Sequence, residues 1–119
     1  MVVIRQHGNN SELFDIASFL ADMDKFVRPD SWHITLEECV GDRASEIEML
    51  TLAGLSMSDD DFRSLYSGVH QTIAGRFVGF VGDEVLFEFI AVDSSFWEVS
   101  GSSEFEAHMV ETYGAWRHA

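Results

Sequence analysis

Positive charge, cysteine and proline are all scarce in this sequence. Its 119 residues include 7 basic side chains against 21 acidic ones, Lys25 is the single lysine, and the formal net charge is -14. A charge of this sign repels nucleic acids and anionic membranes and attracts basic proteins. The one cysteine, Cys39, excludes an internal disulfide and therefore a secreted disulfide scaffold. We expect a cytoplasmic protein, whose acidity serves either a basic protein partner or solubility alone.

Apolar residues are abundant despite this charge. The hydrophobic fraction is 46% and the aromatic fraction 13%, which predicts a packed core and not a disordered acidic chain. The length fits a single domain over residues 1–119. The apolar run at residues 1–4 is too short for a signal peptide or a membrane span, so we expect no membrane association.

Apolar spacing and capping residues predict an α+β fold. The predicted elements are a helix over 10–26, a strand over 32–40, a short helix from Ser45 to Ala53, a helix from Ser58 to Gly68, strands over 72–81, 85–92 and 96–100, and a helix from Ser103 to Gly114. Successive hairpins indicate an antiparallel sheet of about four strands, with helices packed mainly on one face. Asp15, Asp22 and Asp24 lie outside the apolar stripe of the first helix and are expected in solvent.

The hairpin over 72–92 has the most specific pattern. Pairing Val81 with Val85 across a Gly-Asp-Glu turn places Gly79 opposite Phe87 and Gly75 opposite Ala91. One face of the hairpin is then wholly apolar and suits a core. The other face is apolar with two charges, Arg76 and Glu88, and is either a binding surface or buried under the first helix.

A protein interface combines apolar anchors with a polar rim, and residues of the sheet and its turns offer both. The predicted partner-binding residues are Glu37, Arg76, Phe80, Asp83, Glu84, Glu88, Asp93, Trp97 and Glu98.

Catalytic and metal-binding patterns are weak. The histidines His7, His33, His70, His108 and His118 lack zinc-site spacing, and we predict neither a metal nor a cofactor. A small enzyme or ligand-binding domain would have to use Cys39, His70 or a carboxylate pair formed by Glu88 and Glu98. We predict no enzymatic activity.

A resemblance rests on three segments. Residues 70–77 (HQTIAGRF), residues 93–99 (DSSFWEV) and the short helix after them are similar to small bacterial immunity proteins of the contact-dependent inhibition and polymorphic-toxin type. The resemblance spans about residues 58–113 and implies a cytoplasmic protein that binds one cognate toxin domain and blocks it. It supplies no functional residues.

These observations together predict an immunity protein that occludes the active site of a basic toxin domain, such as a nuclease. Acidic side chains would take the place of phosphates as partners for the toxin's basic residues, with no direct binding to nucleic acid. The alternatives are an acidic regulatory inhibitor that mimics nucleic acid, and the small enzyme or ligand-binding domain above.

Overall fold

A computed structural model describes residues 1–116 of the chain. The elements in that range are β1 (Val2–Arg5), a 3-10 turn (Asn9–Ser11), α1 (Ile16–Met23), β2 (Ser31–Gly41), α2 (Ala44–Thr51), β3 (Leu55–Ser58), α3 (Asp59–Tyr66), β4 (Val69–Val81), β5 (Glu84–Val92), β6 (Phe96–Ser100) and α4 (Ser103–Tyr113). None of the helices in the described part of the chain has the length and apolar character needed to cross a bilayer. Of the predicted histidine set, His118 lies outside the described residues.

The strands form one antiparallel sheet in the order β1-β6-β5-β4-β2-β3. The predicted α+β class and antiparallel pairing are confirmed, but the expectation of about four strands is wrong, because residues 1–116 contain six. The two strands not counted in that prediction, β1 and β3, have four residues each; residues 1–8 were expected to be irregular or a short extended segment. Strands this short have little alternation to detect, and pairing with β6 and β2 makes them extended.

The first helix begins later and ends earlier than predicted. Its N-cap is Asp15, whose carboxylate accepts a hydrogen bond from the Ile16 backbone N–H at 2.8 Å. The residues before it fold back on the chain, because the Phe14 backbone N–H donates to the Gln6 carbonyl at 2.8 Å. Ser58 caps α3 as predicted, and Ser102, one residue before the predicted Ser103, caps α4. The predicted cap at Ser45 is wrong, because α2 begins at Ala44 and its N-cap Arg43 makes no side-chain capping hydrogen bond.

The hairpin of β4 and β5 confirms most of the predicted register. Gly79 pairs with Phe87 and Gly75 with Ala91, as the pattern predicts. A bulge between Gly79 and Phe80 then shifts the pairing by one residue, so Val81 lies opposite Glu84 and not Val85. The turn therefore contains two residues and is narrower than expected, with Gly82 at a φ of 57°.

One face of the sheet holds the hydrophobic core. A row across four strands consists of Ile34, Phe77, Phe89 and Val99, all buried. Aromatic side chains of three helices contact this face: the ring centroids of Phe19 and Trp97 are 5.1 Å apart, those of Phe62 and Trp32 4.6 Å, and those of Phe105 and Phe87 4.7 Å. We call this the core face.

Candidate functional site

The opposite side of the sheet, here called the second face, is defined by two rows of paired residues. One row runs Ser100, Glu88, Val78 and His33, and the next runs Glu98, Ile90, Arg76 and Thr35. Cross-strand partners share a face, and neighbours along a strand point to opposite faces. The second face therefore combines β-branched apolar residues with charged ones, as the hairpin pattern predicts.

An ion pair lies in the middle of the second face. The Arg76 Nε donates to the Glu88 Oε2 at 2.7 Å, with 58% of the arginine side chain and 26% of the glutamate side chain exposed. The two residues come from adjacent strands and lie on neighbouring rows of the face. Their charges neutralise each other, so the centre of the face is less acidic than its surroundings.

Two shallow depressions meet at this ion pair. The larger, with a volume of about 650 Å³, is lined by Val78, Leu86 and Ser100 together with both members of the pair. The smaller, about 310 Å³, is lined by Thr35, Glu37, Ala74, Ile90 and again Arg76. Arg76 thus forms the ridge between two concave, partly apolar patches, a shape into which side chains of a partner can insert.

Carboxylates without a partner surround this centre. The carboxylates of Glu98 and Glu37 make no hydrogen bond or ion pair with any residue in 1–116, and the carboxylate of Glu84, at the rim of the larger depression, makes none either. All three are at least partly exposed. The predicted residues Glu37, Arg76, Glu84, Glu88 and Glu98 therefore share one surface, with an apolar and neutralised centre and an acidic rim.

The remaining predicted residues lie at the margin of this surface or away from it. Phe80 pairs with Ser31 and is half-buried at the end of the second face, and Asp83 is exposed in the adjoining turn. Asp93 is exposed in the turn after β5, at the opposite end of that strand from Glu84. β5 has nine residues, so its two ends are roughly 27 Å apart. The structure does not bring Asp83 and Asp93 together.

Trp97 is not part of the surface. Its side chain is fully buried on the core face, and its indole N–H donates to the Phe14 carbonyl at 2.9 Å. Strand alternation explains this, because Glu98 faces outward and its neighbour must face inward. We therefore remove Trp97 from the candidate set.

Sequence reasoning missed an aromatic contribution to the second face. Phe96, which shares the face with Glu98 by alternation, packs against Trp116 with ring centroids 4.3 Å apart and the rings tilted by 32°. Both residues are half-buried. The signal was present, since Phe96 and Glu98 are two positions apart on one strand, but the position of Trp116 depends on how the chain folds back after α4.

Several acidic residues prove to be internal. Asp15 and Asp22 are buried, contrary to the expectation that they lie in solvent. Asp15 accepts hydrogen bonds from the backbone N–H and the hydroxyl of Thr72, each at 2.8 Å, and burial raises the pKa of its carboxyl. Asp22 bonds the hydroxyl of Tyr113 and lies 2.8 Å from Nε2 of His108, which ties α1 to α4. These carboxylates hold the fold together.

The groups proposed for catalysis are not arranged for it. Burial, with the nearby charges of Glu48 and Asp15, raises the pKa of the Cys39 thiol to about 11, so the nucleophilic thiolate is rare at neutral pH. His70 is exposed and lies near Asp42, while the residue opposite Cys39 is Thr72. Glu88 pairs with Arg76 and not with Glu98. Within residues 1–116 no three His, Cys, Asp or Glu side chains cluster in a way that could hold a metal ion.

Comparison with known proteins finds no relative: no family model, curated protein or solved structure matches the chain.

Proposed function

We propose that this chain is a cytoplasmic immunity protein that neutralises a cognate toxin domain, with the second face as its binding surface. In this proposal the helices pack mainly against the core face and leave the second face to the partner. The toxin domain is basic, as a nuclease is, and the bound immunity protein occludes its active site. The proposal names no cofactor and no contact with nucleic acid or membrane.

The observation that carries the proposal is the layout of the second face. Leu86, Ile90 and the two depressions provide apolar contact area at its centre, and Glu37, Glu84 and Glu98 provide negative charge around it. An apolar centre with a polar rim is the arrangement of protein–protein interfaces. The acidic rim selects a basic partner and repels phosphates, which favours a protein partner over nucleic acid.

Binding would proceed in two steps, electrostatic approach and then contact at the second face. The net charge of -14 speeds the approach of a basic domain by electrostatic steering. At contact, lysine or arginine side chains of the toxin pair with Glu98 and Glu37, in the way that they would pair with phosphates of a substrate. A toxin cation near Glu88 would compete with Arg76 for the carboxylate and would leave the arginine unpaired. A partner that offers no acidic group to Arg76 would therefore bind less tightly.

The test is co-expression with the C-terminal domain of whichever large protein is encoded immediately upstream. Rescue of growth together with co-purification supports the proposal. If this chain neither co-purifies with that domain nor restores growth, its assignment as the immunity protein of that toxin is wrong. If the chain binds several unrelated basic proteins and duplex DNA competes with it for them, the nucleic-acid mimic is supported instead.

Charge-reversal variants locate the surface in the same complex. We expect Glu98→Lys and Glu37→Lys each to raise the Kd about tenfold and to reduce its salt dependence. Glu111→Lys is the matched control, since it changes the net charge equally from an exposed position on α4. If Glu111→Lys weakens binding as much as the other two, only net charge matters and the second face is not the interface.

A further inference from the structure

The two edges of the sheet differ in how far their backbone groups are hydrogen-bonded. At the β1 edge the segment after α4 runs beside the strand: the Arg5 N–H donates to the Gly114 carbonyl at 3.2 Å, and the Trp116 N–H donates to the Val3 carbonyl at 3.0 Å. Ile4 and Ala115 form an antiparallel bridge between these contacts. The backbone of β1 is therefore paired on both sides.

The β3 edge has no such cover. Within residues 1–116, β3 pairs with β2 alone, and none of the additional backbone hydrogen bonds involves residues 55–58. Natural edge strands are protected from pairing with other chains by charged residues, proline or bulges. β3 has the sequence LSMS and pairs with β2 in an unbroken register, so its short length is its one protection.

An apolar surface adjoins this edge. In α2 the side chains of Ile47 and Thr51 are buried, whereas Met49 is 79% exposed and Leu52, just after the helix, is 76% exposed. Leu50 is exposed as well, and the chain turns at Gly54 directly into β3. Met49 and Leu52 are three positions apart and share one side of the helix. We call Met49, Leu52 and residues 55–58 together the β3–α2 patch.

The patch is also uncharged. Residues 49–58 include no Asp, Glu, Lys, Arg or His, in a chain that is 24% charged. An interface between identical subunits related by a two-fold axis brings one patch against itself. An uncharged apolar patch is complementary to itself, whereas the acidic parts of this surface would bring like charges together.

We propose that the β3–α2 patch binds a second copy of this chain. β3 pairs antiparallel with β3 of the other copy, joining the two sheets edge to edge, and Met49 and Leu52 pack across the two-fold axis. Strand addition at an open edge supplies backbone hydrogen bonds, and the apolar side chains supply the desolvated contact. This surface lies at the edge of the sheet, so the second face stays accessible in the dimer.

The charge of the chain predicts how this association responds to salt. Each copy contributes a net charge of -14, so the two copies repel each other outside the patch. Added salt screens that repulsion, and the dimer is expected to tighten as ionic strength rises. Binding of a basic partner to the second face responds in the opposite direction, which separates the two interfaces experimentally.

The experiment is sedimentation velocity of the purified full chain over a wide concentration range, at about 0.05 M and about 0.5 M salt. We expect a reversible monomer–dimer equilibrium with a lower Kd at the higher salt. Hydrogen exchange at high and low protein concentration is expected to show added protection of amides in residues 55–58. A monomer at every concentration and both salt levels would overturn the proposal, and so would open-ended assembly beyond a dimer.

Two variants and a control assign the surface. Met49→Lys and Leu52→Lys, at exposed positions that the fold tolerates, are each expected to raise the dimer Kd about tenfold. Val85→Lys introduces the same charge at an exposed apolar position in the β4–β5 hairpin and is expected to leave the Kd unchanged. If the dimer survives both patch variants, or Val85→Lys weakens it equally, the β3–α2 patch is not the interface.

Discussion

The indole N–H of Trp32 donates a hydrogen bond to Oδ1 of Asp59 at 2.8 Å, joining β2 to the first residue of α3. The other carboxylate oxygen of Asp59 accepts from Nε of Arg28 at 2.6 Å and from Nε of Arg63 at 2.9 Å. Arg63 also pairs with Asp24 at the end of α1. A single buried carboxylate thus connects two helices, a strand and the loop before it.

Removing that carboxylate is expected to destabilise the fold. Asp59→Ala leaves the Trp32 indole without its acceptor and two guanidinium groups without their shared partner, so we expect a loss of about 2–3 kcal/mol in the free energy of unfolding. The matched control is Asp60→Ala, because Asp60 also pairs with Arg28 but is 89% exposed. Its loss should stay below about 0.5 kcal/mol. Equal losses in urea unfolding would contradict a central role for Asp59.

Asp15 and Asp24 are expected to give opposite pH dependences. Burial raises the pKa of Asp15 above its ordinary 3.8, against the lowering effect of hydrogen bonds from Thr72 and Ile16. The folded state then binds more protons than the unfolded chain between the two pKa values. Stability from this group is fully present below pH 3.8 and is lost as the pH rises through the folded pKa. Asp15→Asn should therefore gain stability relative to the wild type as the pH rises.

Asp24, the control carboxylate, is expected to show the opposite pH dependence of stability. The hydrogen bond from Arg63 lowers the pKa of Asp24, so stability from Asp24 is present above its ordinary 3.8 and is lost as the pH falls through the folded pKa. Asp24→Asn should lose stability relative to the wild type as the pH rises. Urea unfolding of the three proteins between about pH 3 and about pH 7 measures both differences. If both stability differences change with pH in the same direction, the direction of the pKa shift assigned to one of the two carboxyls is wrong.

Cys39 is expected to react slowly with thiol reagents. Burial raises the pKa of its thiol to about 11, against an ordinary 9.0. Ionisation alone then lowers the thiolate concentration at about pH 8 by a factor of about 100. Alkylation of the native protein should be slower than this factor implies, since the side chain is also buried, and should reach the rate of a free thiol in urea. A native rate close to that of free cysteine would contradict the buried position.

A side chain at Gly75 is expected to destabilise the fold. A Cβ there would lie 2.8 Å from Cδ1 of Leu36 and 3.2 Å from the Thr35 carbonyl oxygen, which belongs to the neighbouring strand. Gly75→Ala should lower the free energy of unfolding by about 1–3 kcal/mol. At Gly68 the nearest atom to such a Cβ is 3.8 Å away, on the side chain of Asp42. Gly68→Ala should change stability by less than about 0.5 kcal/mol, and thermal unfolding of the pair tests the difference.

The local sequence pattern predicted the structure correctly where the environment of a residue depends on its neighbours in sequence. The hairpin register at Gly79 and Phe87 follows from alternation and a turn of known chemistry, and the start of α3 follows from the capping side chain of Ser58. The presence of Arg76 and Glu88 on one face also follows from alternation, whereas their ion pair is a finding of the structure. The bulge at Phe80 escaped detection, since no residue in the turn signals it.

Partners distant in sequence decided the rest. Asp15 and Asp22 have the spacing of solvent-exposed residues on a helix, and they are buried because Thr72 and Tyr113, far along the chain, bring hydrogen-bond donors to them. Trp97 is buried because alternation directs it to the core face, where Phe19 of α1, far away in sequence, packs against it. Burial depends on what packs against a side chain, and sequence spacing is silent about contacts between residues 57 or 91 positions apart. Composition and alternation were enough for the α+β class and the acidic surface. The assignment of each carboxylate to the interior or to the second face required the tertiary contacts.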